Sequence, residues 1–398
     1  SLLLAAPDLL ASEGALGPRG WETSGSRPGS VLKPRGWSPL RVAEAAAAWI
    51  RSTATETDRG LVWPVAPGFM DQPALNLYSG TPGVILFLLE LHHATGNHEY
   101  LQEAEAGAAH LMAAFLGQTP GPATEGEPVD ADPNQAMTLN DPGLYTGLAG
   151  AAFTLTETYA AGGRREFREG ALMLIDRLIA RARAVEGGLL WFQDGVEEAS
   201  YDIISGSAGI ALTLLHAHRK LEHPHALDAA ARAGGVLRTR GRPAGEGLKW
   251  PMSETYPRLM PNFSHGTAGV VYVLARLADV TGREEYLDVS IQGARYLEGA
   301  STCGEGGCLL FHHEPGGEDL FYLSWCHGPV GTARAFHQLA AVTGEEDFTE
   351  WLRRGGKAIR DLGVPENRTP GYWNNVSQCC GDAGVGDFFL SLHFLDPD

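Results

Sequence analysis

Six apolar runs punctuate this chain, and each opens on two glycines three residues apart. The copies are Gly80-Thr-Pro-Gly83, Gly147-Leu-Ala-Gly150, Gly206-Ser-Ala-Gly209, Gly266-Thr-Ala-Gly269, Gly328-Pro-Val-Gly331 and Gly381-Asp-Ala-Gly384. Their first glycines lie 67, 59, 60, 62 and 53 residues apart. Segments such as Val84-Ile-Leu-Phe-Leu-Leu-Glu-Leu91 and Ile210-Ala-Leu-Thr-Leu-Leu215 carry almost no polar face, as expected of helices buried on both sides. Short turns follow at 95–98, 161–163, 281–283 and 343–345. Charged segments come next, at 99–116, 166–184, 284–297 and 347–362, and read as helices with one solvated face.

Counting one charged helix after each of the first five glycine-headed runs, with a further helix at 41–55, gives twelve helices, six apolar and six amphipathic. A period of this length marks a repeat architecture whose units share one core. The closed solution is an all-α fold, an α/α toroid in which a double-layer helical barrel has apolar helices inside and amphipathic ones outside. Residues 188–192 and 308–312 read as pieces of small β-hairpins in loops. The longer insertions, 118–142, 185–203, 239–262 and 300–325, all precede inner helices, so they gather with the glycine motifs at one pole.

Composition narrows the function. The formal charge of −18 over 398 residues argues against nucleic-acid partners, which need clustered Lys and Arg. No apolar run approaches the roughly 18 residues that span a bilayer. Five cysteines are too few, and odd in number, for a secreted disulfide framework, so reduced thiols in the cytoplasm are expected. Residues 1–38, rich in Gly, Pro, Ser and Arg toward their end, read as an arm or linker, and 39–398 as one domain. The absence of a starting Met suggests a domain of a longer polypeptide.

The residues ahead of each first glycine carry the chemistry. They are Ser79, Thr146, Ser205, His265, His327 and Cys380. The first three are ordinary helix caps. The last three are ligand or acid–base types, and Cys326 and Cys379 stand one residue further back. Neighbouring repeats bring Cys326, Cys379 and Cys380 within reach of one ion, for which zinc with an open fourth position is the natural choice. His327 is the rival ligand. His265, on the preceding repeat, faces the same pole, and Asp202, four residues ahead of Gly206, can orient it. Cys303 and Cys308 read as loop cysteines or a second pair, and His92-His93 and His312-His313 find no partners at ligand spacing.

Ser324-Trp-Cys-His-Gly328, Cys379-Cys-Gly381, Ser264-His-Gly266 and Tyr201-Asp-Ile-Ile-Ser-Gly-Ser-Ala-Gly209, with all six glycine motifs, resemble the lanthionine synthetase C family, the LanC-type cyclases. The resemblance covers about residues 40–396. It implies a toroid of up to seven helices per layer, the extra pair falling in 1–38 and 118–142 or absent. It also implies zinc-dependent addition of peptide cysteine thiols to dehydroalanine or dehydrobutyrine, giving lanthionine or methyllanthionine. Cys326 and Cys379 match the first two zinc-ligand positions. Cys380 stands where many members have His, as in the subset using three cysteines. His265 matches the catalytic histidine and Asp202 its partner acid, while Tyr322 replaces an Arg found in some members. The implied partners are a dehydrated precursor peptide, leader plus core, and lyase and kinase domains of the same polypeptide, since no phosphoryl-transfer motif occurs here. Two rival readings are a relative that adds glutathione or another small thiol, and a non-catalytic zinc-containing peptide-binding module. A dehydrated peptide lacking cysteine, with added glutathione, tests the first, and metal analysis with a ring-closure assay tests the second.

Overall fold

The computed structural model describes residues 38–65, 73–117, 138–302, 307–364 and 375–395. The expected arm lies outside these but for Ser38, whose hydroxyl caps the first helix by accepting from the Arg41 N–H at 3.2 Å. Most of the 118–142 insertion also lies outside them.

Helices and hairpins alternate. The order begins α1 (Pro39–Ser52), β1 (Thr55–Thr57), β2 (Gly60–Val62), α2 (Thr81–Thr95) and α3 (His98–Leu116). It continues with α4 (Leu148–Gly162), α5 (Arg165–Ala180), β3 (Arg183–Val185), β4 (Gly188–Leu190), α6 (Ser207–Leu221) and α7 (Ala226–Thr239). Then come β5 (Arg242–Ala244), β6 (Gly247–Lys249), α8 (Thr267–Thr281) and α9 (Glu284–Ala300). The last elements are β7 (Ser301–Thr302), β8 (Leu309–His313), β9 (Gly317–Phe321), α10 (Pro329–Thr343), α11 (Glu346–Leu362) and α12 (Asp382–Leu395).

Even-numbered helices form the inner layer. Each packs on the next, α2 on α4, α4 on α6, α6 on α8, α8 on α10 and α10 on α12, and all but α12 form a tight antiparallel pair with the odd-numbered helix that follows. The expected six and six are therefore found among the described residues. Burial follows the apolar pattern. In α4 every residue from Leu148 to Thr156 is buried, whereas α5 buries a stripe of Phe167, Gly170, Ala171, Leu174, Ile175 and Leu178. Each large apolar side chain so enclosed contributes roughly 1.5–3 kcal/mol. Buried threonines do not offset this, because Thr154, Thr156 and Thr158 donate to carbonyls one turn back at 2.8–2.9 Å.

Four inner helices end on Gly96, Gly163, Gly282 and Gly344, with φ between 66° and 73°, a conformation that glycine adopts without strain. Glu222 takes this place after α6, with φ 56°, and so that turn lacked a glycine signal. The motif glycines act differently. Those ahead of the helices are extended, not left-handed, as at Gly328 with φ −121°. Their constraint is close approach: a Cβ on Gly147 would meet the Asp141 carbonyl oxygen at 1.9 Å, and one on Gly331 the Trp325 oxygen at 1.8 Å.

The hairpins are more regular than the sequence reading allowed. The expected helix 166–184 stops at Ala180, and Arg183 pairs with Leu190 across a turn at Gly187, φ 90°. Similar hairpins join β1 to β2 and β5 to β6. Each second strand leads to a buried tryptophan, Trp63, Trp191 or Trp250. The last two donate their indole N–H to Leu178 and Leu237 carbonyls at 2.7 Å, tying each hairpin to the outer helix before it.

Candidate metal centre and active site

The segments ahead of the inner helices are stitched to one another by backbone bonds. Tyr78 N–H donates to Tyr145 O, Tyr145 N–H to Ile204 O, Ile203 N–H to Ser264 O, Ser264 N–H to Cys326 O and Cys326 N–H to Cys379 O, at 2.9–3.2 Å. Equivalent positions of six repeats therefore line one pole. In three of the six segments an Asx-type turn, at Asn76, Asp202 and Asn262, sets the approach to the helix. Asn76 Oδ1 accepts from Ser79 N–H at 3.0 Å, and Asn262 Oδ1 from His265 N–H at 3.1 Å.

Three sulfurs meet at the last two segments. Cys326 Sγ lies 3.2 Å from Cys380 Sγ, Cys380 Sγ lies 3.4 Å from Cys379 Sγ, and all three fall within 4.8 Å of one another. All are free thiols, Cys326 buried and the others half-buried. A tetrahedral zinc with Zn–S bonds of about 2.3 Å needs S···S edges of about 3.8 Å, so the donor set fits that ion after small shifts. Among themselves the three thiols favour one ionised member: Cys326 and Cys380 donate toward Cys379 and hold its thiol well below the usual range, while Cys326 and Cys380 are pushed up in return.

His265 sits on the neighbouring segment. Its Nδ1 is 2.6 Å from Asp202 Oδ2; the His265 side chain is 29% exposed and that of Asp202 fully buried. Asp202 occupies the turn position of Asn76 and Asn262 in the sister repeats. Its Oδ1 does the same work, accepting from Ser205 and Gly206 N–H at 2.9 and 2.7 Å. Oδ2 is thus available for the imidazole. Burial pulls the His265 pKa down, but the hydrogen bond and charge of Asp202 outweigh it, and the net shift is upward.

Two nearby imidazoles, those of His327 and His312, are driven the opposite way. His327 lies outside the sulfur cluster, its ring centroid 4.3 Å from that of His312 and 5.9 Å from that of His265. Burial lowers His327 to about 3 and His312 to about 4. Tyr322 joins this wall, 4.6 Å from His312. His265 is thereby set apart as the histidine suited to proton transfer near neutrality.

Sequence reasoning missed three participants. His312 and His313, with Nδ1 atoms 2.7 Å apart, come from β8 in an insertion, where no ligand spacing announced them. Tyr78, whose hydroxyl is 3.7 Å from Cys379 Sγ, carries the first repeat to the last. Its signal was present: it stands two residues before its glycine, as do Cys326 and Cys379. Cys308, by contrast, is buried and disulfide-bonded, so the expectation of reduced thiols fails there. Cys303 lies outside the described residues. No helix among the described residues is long and apolar enough to cross a membrane.

Comparison with known proteins agrees with this architecture. Nisin cyclase has 18% identity, with 90% of this chain and 82% of that chain covered at a TM-score of 0.59. D-mannose isomerase has 14% identity, 90% and 99% coverage and a TM-score of 0.58. Cellobiose 2-epimerase from Bacillus thermoamylovorans has 12% identity, 90% and 98% coverage and a TM-score of 0.55. These likenesses establish the fold. No curated protein sequence matches the chain. The family profile described as "Lanthionine synthetase C-like protein" matches residues 72–396, most of the chain, and the protein belongs to that family.

Proposed function

We propose that the protein is a zinc-dependent thioether-forming cyclase that adds peptide cysteine thiols to dehydroalanine or dehydrobutyrine. The observation that carries this reading is the convergence of Cys326, Cys379 and Cys380 one hydrogen-bonded segment away from the His265–Asp202 pair. Cys326, Cys379 and Cys380 would hold the zinc, which would supply one thing, a lowered pKa for the substrate thiol, otherwise about 8.5.

The chain's own groups do the rest. Asp202 engages Nδ1 of His265, leaving Nε2 as the atom that exchanges protons. His265 accepts the thiol proton and returns it to the substrate α-carbon after sulfur bonds to the β-carbon. A dehydrated peptide is the substrate, so elimination chemistry in lyase and kinase domains acts first. Incubation with a dehydrated, cysteine-containing peptide should remove its thiols from maleimide labelling without a change in mass. Persistent full labelling by zinc-replete protein would reject the activity.

Asp202→Asn tests the proton-transfer half. Asn preserves the turn, as Asn76 and Asn262 do, but offers Nδ1 no carboxylate. The raised pKa of His265 stabilises the fold fully below the ordinary histidine value, and this is lost as pH rises through the raised one. In the variant the His265 titration, followed by NMR, should move to lower pH, and ring closure should slow roughly 10²-fold. An unmoved titration would remove Asp202 from this role.

A further inference from the structure

Two residues before the first glycine of each motif stand Tyr78, Tyr145, Ile204, Ser264, Cys326 and Cys379. Two of these are the sulfurs just described. Tyr145 is buried, its ring 5.5 Å from that of Trp325. Tyr78 is 57% exposed, its backbone is fixed by the bond to Tyr145, and its hydroxyl lies 3.7 Å from Cys379 Sγ. The proposed cyclase has a difficulty that this contact addresses. It presents an electrophilic alkene to a centre holding three thiolates of its own. Attack by a protein sulfur would form an S–C bond at the β-carbon, pass the π pair to the α-carbon for protonation, and inactivate the enzyme. Cys326 is buried and has Ser324 Oγ at 3.2 Å. Cys379 and Cys380 are half-buried; Cys380 Sγ lies against the other two sulfurs at 3.2 and 3.4 Å, and Cys379 has the Tyr78 hydroxyl beside it.

We propose that Tyr78 is a positioning residue whose phenol donates a hydrogen bond to the Cys379 thiolate, covering that sulfur and lowering its nucleophilicity so that the substrate thiolate is the one that adds. A hydrogen bond to a charged acceptor is strong enough to change a rate several-fold. The proposal rests on the three-thiolate metal centre, so the test reports on both. Cobalt(II)-loaded wild type and Tyr78→Phe are compared in two ways: the energy of the thiolate-to-cobalt band, and alkylation of Cys379 by iodoacetamide, in which an S–C bond forms as iodide leaves. Tyr78→Phe should shift the band to longer wavelength and raise Cys379 alkylation about five-fold. An unchanged band and rate with cobalt bound in both proteins overturns the role of Tyr78 alone. So does loss of the band from the variant only, which makes Tyr78 a requirement for binding. Absence of the band from both proteins overturns the metal centre and this role together.

Discussion

Cys326→Ala protein purified in reducing, zinc-supplemented buffer is expected to hold less than about a tenth of the wild-type metal and to close no rings. The side chain is buried at the join of two segments, where Cys326 N–H donates to Cys379 O at 3.2 Å and Cys326 O accepts from the Ser264 N–H and hydroxyl. Those are backbone contacts on the cysteine side and survive the substitution. The fold should therefore persist at a cost of about 1 kcal/mol while two sulfurs remain, too few for the site. Elemental analysis, circular dichroism and the peptide assay check the three parts. A folded variant that retains stoichiometric zinc would remove Cys326 from the ligand set.

His265→Ala should separate metal from chemistry. Its ring is not among the clustered ligand atoms, so zinc content should match wild type. Ring closure should fall by about 10²–10⁴, the usual contribution of a positioned acid–base group. Residual product should be formed with less control over protonation at the α-carbon, which chiral analysis of the lanthionines would register. Unchanged product rates would reject the assignment of His265.

The parts of the fold that follow from burial were legible in the sequence. Inner helices show as apolar runs because they are enclosed on both sides, and their glycines mark where the preceding carbonyl comes too close for a Cβ. Parts set by exceptions were not. The turn at Glu222 uses a left-handed residue that is not glycine, and the β1–β2 and β5–β6 hairpins lack an apolar run as long as Leu189-Leu-Trp-Phe192, which marked β4. The site divides similarly. Cys326, Cys379 and Cys380 cluster, and His265 meets Asp202, because the repeat register carries them to one pole. Tyr78 shares that register but lacks a ligand's chemistry, and His312 arrives from an insertion whose path the register does not fix.

The most direct measurement is zinc content with zinc-edge X-ray absorption on the unmodified protein under reducing conditions. One zinc per chain is expected, with three sulfur neighbours near 2.3 Å and one lighter, exchangeable neighbour that becomes a fourth sulfur when a thiol is added. A protein that takes up no zinc at adequate supply, or binds it through four fixed protein ligands, would contradict the account.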